Sequence, residues 1–164
     1  MKKLVEDLVS KNRFRKNRIP EFEVLPLGAR WAGLLLLLIS CSSISEFSSV
    51  AYKQAVDLKV ESLELMSYAA EDYSIYETEV ETLWHELRKA YEFAKGRPDN
   101  EISTEQWEIL IDEERNLLGG FLKRWEEEGI LNEMFVTEAQ MLVSDAFDTI
   151  IGLESGKINP TEIK

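Results

Sequence analysis

Between Gly33 and Gly96 the chain has neither glycine nor proline, so nothing in the backbone chemistry of that interval ends a helix. Within it Met66, Ala69, Tyr73, Tyr76, Val80, Leu83, Leu87, Ala90 and Ala94 follow one another at alternating spacings of three and four. Side chains so spaced share one face of a helix, and an apolar face must be covered by other helices. Val56, Val60 and Leu63 continue a looser stripe upstream, while Trp84 and Tyr91 widen the face beyond the narrow seam of a coiled coil, as in a bundle core. The pattern predicts one long helix over residues 46–95. Ala69-Ala70-Glu71-Asp72-Tyr73-Ser74 is the stretch able to bend it or divide it into two.

Lys95-Gly96-Arg97-Pro98-Asp99-Asn100 is a stop and a reversal, because glycine suits the residue after a helix and proline forbids continuation. Ser103-Thr104-Glu105-Gln106 then matches a capping box and places the next helix start at Thr104. Its stripe, Trp107, Leu110, Ile111, Leu117, Leu118, Phe121, Leu122 and Trp125, keeps phase across Gly119-Gly120. The helix is therefore expected to run through the pair, at about 1 kcal/mol per glycine relative to alanine. Two glycines there point to close approach of another backbone, or else to a hinge. Gly129 closes this helix, and Asn132 caps a further one to about Leu153 whose apolar face holds Phe135, Ala139, Leu142, Val143, Ala146, Phe147, Ile150 and Ile151. No strand alternation and no internal repeat occurs. The expected fold is all-α: a bundle of three to four helices over residues 41–154, after an N-terminal signal or membrane-anchor segment at 1–40 and before a flexible tail at 155–164.

Charge narrows the function classes. Residues 1–40 hold eight Lys/Arg and four Asp/Glu, and residues 41–164 hold eleven and twenty-seven, so +4 and −16 give the net charge of −12. An acidic body repels phosphate backbones, so no nucleic acid is expected as a partner. His85 is the sole histidine and Cys41 the sole cysteine, which leaves no ligand set for a multi-thiolate or two-histidine zinc site within one chain. Glu81 lies one turn from His85, a spacing expected of a surface contact. There is no Gly-x-Ser-x-Gly elbow and no phosphate-binding Gly-x-x-x-x-Gly-Lys loop. Glu77, Glu79, Glu81 and Glu86, Asp112-Glu113-Glu114 and Glu126-Glu127-Glu128 lack calcium-loop spacing and interleave with the stripes as solvated faces do. No catalytic residue, metal site or cofactor is expected, and the chain reads as a non-enzyme. Trp84, Trp107 and Trp125 lie on packing stripes, whereas Trp31, beside Arg30, suits a membrane interface.

The remaining feature is the apolar run Trp31-Ala32-Gly33-Leu34-Leu35-Leu36-Leu37-Leu38-Ile39-Ser40-Cys41. A membrane-spanning helix needs roughly 20 predominantly apolar residues and a signal h-region roughly 7–15. Trp31 to Ser45 gives fifteen uncharged residues, five of them Ser or Cys, which favours a signal; extension to Tyr52 gives twenty-two with Glu46 near one end, a single-pass span. Upstream, Lys11-Asn12-Arg13-Phe14-Arg15-Lys16-Asn17-Arg18 supplies the positive charge that holds that end in the cytoplasm. Thirty residues before Trp31 exceed an ordinary signal n-region, and a start near Val24 or Leu25 would shorten it to Leu-Pro-Leu-Gly-Ala-Arg. Precursor peptides from residues 1–23 would exclude that start.

Leu38-Ile39-Ser40-Cys41, with Arg30 and the leucines before it and Ser42-Ser43 after it, resembles the lipobox of bacterial lipoproteins as a processing class, over residues 24–43. The resemblance implies a diacylglyceryl group on Cys41, cleavage before it and acylation of the new amino terminus. It implies a membrane partner through that lipid, or through the 31–52 segment if the span is uncut. The expected role is binding or structural, with helix faces meeting another envelope protein. Ser42 stands where lipoproteins retained at the inner membrane often carry Asp, so the outer membrane is expected in a two-membrane cell. The competing readings are a single-pass inner-membrane protein with its N-terminus in the cytoplasm, and a cytoplasmic acidic adaptor or immunity-type protein in which Leu34–Ile39 is core.

Overall fold

The long stripe folds as two helices. The computed structural model describes residues 45–163, and there α1 (Ser49–Ser67) and α2 (Glu77–Lys95) are separated by a reversal holding a 3-10 turn at Tyr73–Ile75. Three more helices follow: α3 (Glu101–Ile111), α4 (Leu118–Glu128) and α5 (Glu133–Glu154). Among the described residues the fold is all-helical, as the pattern requires.

The break after α1 falls within the stretch that composition marked. Asp72 is extended, and its Oδ1 accepts from the Ser74 backbone N–H at 3.0 Å and from the Ser74 hydroxyl at 2.6 Å, a local turn that competes with helix. Main-chain groups released by the break find partners across the molecule. Tyr73 N–H donates to Gly129 O, Leu131 N–H donates to Ala69 O, and the Trp125 indole N–H donates to Glu71 O at 3.1 Å. The stripe keeps its phase because Tyr73 and Tyr76 still face the core: their rings lie 5.6 and 5.7 Å from Trp125.

The second difference lies at Gly119-Gly120. Asp112 to Leu117 leave the helix, and α4 starts only at Leu118. Asp112 Oδ1 accepts from Glu114 N–H at 2.9 Å and turns the chain. A β-carbon at Gly119 would sit 2.6 Å from the Ile111 carbonyl carbon and 2.7 Å from that of Asp112, and one at Gly120 would collide with the Arg115 carbonyl. The close approach expected of the pair is real, but the approaching backbone is the turn that leads into it.

α1, α2, α3 and α5 form a ring in which each packs on two neighbours: α1 on α2 and α5, α3 on α2 and α5. Pairing sets α1 against α5 in opposite directions, since Lys59 meets Asp148 at 2.6 Å and Gln140 Nε2 donates to Leu63 O at 2.8 Å. Short α4 packs on α3, α5 and the Tyr73–Ile75 turn. Trp125, Phe147, Met66, Leu87, Leu110, Leu118, Leu122 and Ile150 are fully buried in the shared core. Two members of the expected stripes fall outside it: Val60 is 60% exposed and Leu142 is 53% exposed. On α1 the buried face is Ala51, Ala55, Leu58, Ser62, Leu65 and Met66 instead.

Both flanks of α5 are fixed. Asn132 caps it as expected, its Oδ1 accepting from Met134 N–H at 2.9 Å. At its C-terminus Gly156 takes φ 70°, Gly156 N–H donates to Leu153 O and Lys157 N–H to Gly152 O, the paired bonds of a Schellman turn. Ile158 then folds back onto Gly152, where a β-carbon would collide with it.

Candidate functional site

The residues to which the sequence assigns chemistry, Cys41 with Leu38, Ile39 and Ser40, lie outside the described residues, as does most of the 31–52 segment. The described residues begin at Ser45, at the end of the bundle where α1 starts.

That end of the bundle is built around ions. α1 starts there, α2 ends there, and Glu154 closes α5 there. The Glu154 side chain is 1% exposed, and its carboxylate accepts from the Arg97 guanidinium and the Ser103 hydroxyl. Arg97 turns its other nitrogen, Nη2, to Ser45 Oγ at 2.7 Å and to the Glu46 carbonyl at 2.5 Å. Buried Asn100 donates from Nδ2 to Ala94 O at 2.9 Å, which fastens the α2–α3 turn that presents Arg97. A charge out of water must be paired and hydrogen-bonded, and these groups meet that condition. The chemical result is a clamp: it holds residues 45–46 against the ends of α2, α3 and α5.

Pattern reading assigned Ser103 to a capping box. The helix starts earlier, at Glu101, so Ser103 is inside α3 and its hydroxyl serves Glu154; no side-chain cap bond is made at Asn100. In the sequence Arg97 is marked only as part of a stop, and Glu154 only as the last residue of the bundle. A signal for Glu154 existed: Val143, Phe147, Ile150 and Glu154 keep one spacing of four, three and four, and a carboxylate on a buried stripe requires a partner.

The other chemical candidates stay apart. His85 is exposed on α2. The carboxylate near it with a basic partner is Glu86, not Glu81. Lys89 Nζ sits 2.7 Å from Glu86 Oε1, and this hydrogen bond, ahead of the nearby positive charges, holds the Glu86 carboxyl below its ordinary range. Among the described residues no three His, Cys, Asp or Glu side chains gather as a metal ion would need. A cleft of about 360 Å³ opens between α1 and α2, lined by Glu61, Glu64, Leu65, Tyr68, Glu79 and Thr82 among others. Its lining has carboxylates but no histidine, cysteine, lysine or arginine.

At the opposite end Tyr68 stacks on Tyr76 at 5.0 Å, and Tyr76 OH donates to Glu71 Oε2 at 3.0 Å. Burial, then the fields of Glu126, Glu77 and Glu81, push the Tyr73 phenol above its ordinary range; burial and the Glu71 bond do the same to Tyr76. Both phenols stay neutral and serve packing. Among the described residues no helix is long and apolar enough to cross a membrane. No family model, curated protein or solved structure matches the chain.

Proposed function

We propose that this chain is a lipid-anchored protein of the bacterial cell envelope, facing the periplasm, whose helical bundle has a non-catalytic binding or structural role. The observation that carries the reading is Leu38-Ile39-Ser40-Cys41 behind Arg30 and a leucine run, with Ser42-Ser43 after the thiol. Lipid on Cys41 supplies the membrane partner. Val60 on α1 and Met134, Met141 and Leu142 on α5 are large apolar side chains left in water, which a protein partner in the envelope would cover. Ser42 favours the outer membrane.

Cys41→Ser tests the assignment. Two or more acyl chains hold a protein stably whereas one holds it marginally, so a triacylated Cys41 anchors the body after the apolar run is removed. The variant loses fatty-acid labelling and stays a precursor, heavier by roughly the forty residues of the signal. A variant equal to wild type in size, membrane fraction and lack of label rejects lipid attachment. Persistence in the membrane fraction then indicates the uncut inner-membrane span.

A second reading rests on charge. The body carries −16, and Glu71, Asp72, Glu77 and Glu79 crowd one turn with no base among residues 71–79, as a cytoplasmic acidic adaptor masking a basic partner would require. Recovery of the wild-type chain wholly in the soluble fraction selects it.

A further inference from the structure

We infer that the end of the bundle carrying Ser45, Arg97 and Glu154 docks on the phospholipid surface, so that the body stands end-on at the membrane with its acidic end outward. The inference rests on lipid attachment at Cys41. Three residues separate Cys41 from Ser45. An extended chain spans at most about 3.6 Å per residue, which keeps the lipid-bearing Cα within about 14 Å of the Ser45 Cα. A tether of that reach leaves little room for tumbling if its far attachment is rigid, and the Arg97 clamp on Ser45 Oγ and the Glu46 carbonyl makes it rigid.

The surface at that end suits the contact. Phe47 is 65% exposed and Val50 is 52% exposed at the start of α1, with Phe93 in the last turn of α2. Aromatic and aliphatic groups next to a lipid anchor settle at the headgroup boundary. Charge favours the same orientation. At this end Lys95, Arg97 and Lys157 stand among Glu46, Glu92, Asp99, Glu101 and Glu154, a small acidic excess, whereas the Glu71–Glu79 reversal has four acids and no basic residue, is fastened to Gly129 and Leu131 just beyond Glu126-Glu127-Glu128, and would be repelled more strongly by anionic headgroups.

The test uses the mature lipidated protein, whose Cys41 sulfur is blocked, with a single new thiol at Glu46→Cys or Ile130→Cys carrying an environment-sensitive fluorophore. Both positions are exposed, and Ile130 lies at the opposite end. In vesicles of phosphatidylethanolamine and phosphatidylglycerol containing nitroxide lipids, the Glu46→Cys probe is quenched severalfold more than the Ile130→Cys probe. Adding Phe47→Ser and Val50→Ser cuts that quenching while leaving fatty-acid label on Cys41. Equal quenching at both ends, or none at position 46, in a protein that retains the label overturns docking and leaves the anchor standing. A protein without label overturns the anchor, and docking falls with it.

Discussion

Where α1 begins and α5 stops, the groups withdrawn from water are ionic, Glu154 with Arg97 and Ser103; where α1 turns back into α2, they are rings and main-chain amides gathered around Trp125. The difference teaches what each closure is for. An ion pair out of water recovers little beyond its desolvation cost, but it demands one geometry, and here it fixes where residues 45–46 leave the body. Aromatic burial is less particular about angle and contributes stability directly. The end where α1 begins is specified by charge, and the opposite, distal end is stabilised by packing.

The sharpest way to break this contrast is at Trp125, which is fully buried, touches Tyr73 and Tyr76, and donates to Glu71 O. Trp125→Ala should cost about 3–5 kcal/mol, read as a lower urea midpoint with unchanged slope. A loss below about 1 kcal/mol would mean that the distal end closes without it. At the other end, Arg97→Met leaves the Glu154 carboxylate buried without its cation and should cost about 3 kcal/mol, and the double change Arg97→Met, Glu154→Leu should recover most of that. Two losses that simply add would show the groups are not coupled. Single changes there should also release residues 45–46, seen as faster proteolysis next to Ser45.

Gly119 sharpens a subsidiary contrast between the two chain reversals. If α3 ran unbroken through the pair, Gly119→Ala would stabilise by about 1 kcal/mol. With the Ile111 and Asp112 carbonyl carbons 2.6 and 2.7 Å from the new β-carbon, it should instead destabilise by about 1–3 kcal/mol, as overpacking does.

Legibility in the sequence followed the same division. Stripe residues from Met66 to Ala94 all reach the core or its margin, since periodicity reports burial whether or not the helix is continuous. Of the two breaks, the first was legible as a stretch able to divide the helix, whereas the second was not, because apolar phase crosses it and a short Asp turn holds it. The Asn132 cap was readable because it is wholly local. Arg97–Glu154 spans fifty-seven positions, so only the buried phase of Glu154 could have announced it. Cys41 rests on the motif alone, since it lies outside the described residues.

Ser62 offers a smaller test on the α1 face. It is fully buried, and its Oγ has no hydrogen-bond partner among the described residues, unlike Ser103, which occupies an equivalent stripe position on α3 and serves Glu154. An unpaired buried hydroxyl costs about 1–3 kcal/mol, so Ser62→Ala should be neutral or stabilising by up to about 1 kcal/mol. Ser103→Ala should do the opposite, because it strips a donor from a buried carboxylate. Equal melting temperatures for the two variants would erase the distinction between a serving and an idle serine.

The smallest expected effect belongs to Asp72, at the surface of the distal turn. The Ser74 hydroxyl, then the Ser74 backbone N–H, lower its carboxyl below the ordinary 3.8, against a weaker opposing effect of burial. A carboxyl whose folded value is depressed contributes stability that is present above the unfolded value and is lost as pH falls through the folded one. The window therefore lies at and below pH 3.8, and near neutrality the contribution is constant. Asp72→Asn keeps an acceptor for the Ser74 N–H but removes the charge. The variant should unfold at slightly lower urea than wild type at pH 7, and the gap should close as the pH drops below 3.8. A gap that widens on acidification would show that repulsion from Glu71 and Glu77, rather than the Ser74 bonds, governs this carboxylate, and the distal end would then be held together by rings in spite of its charge.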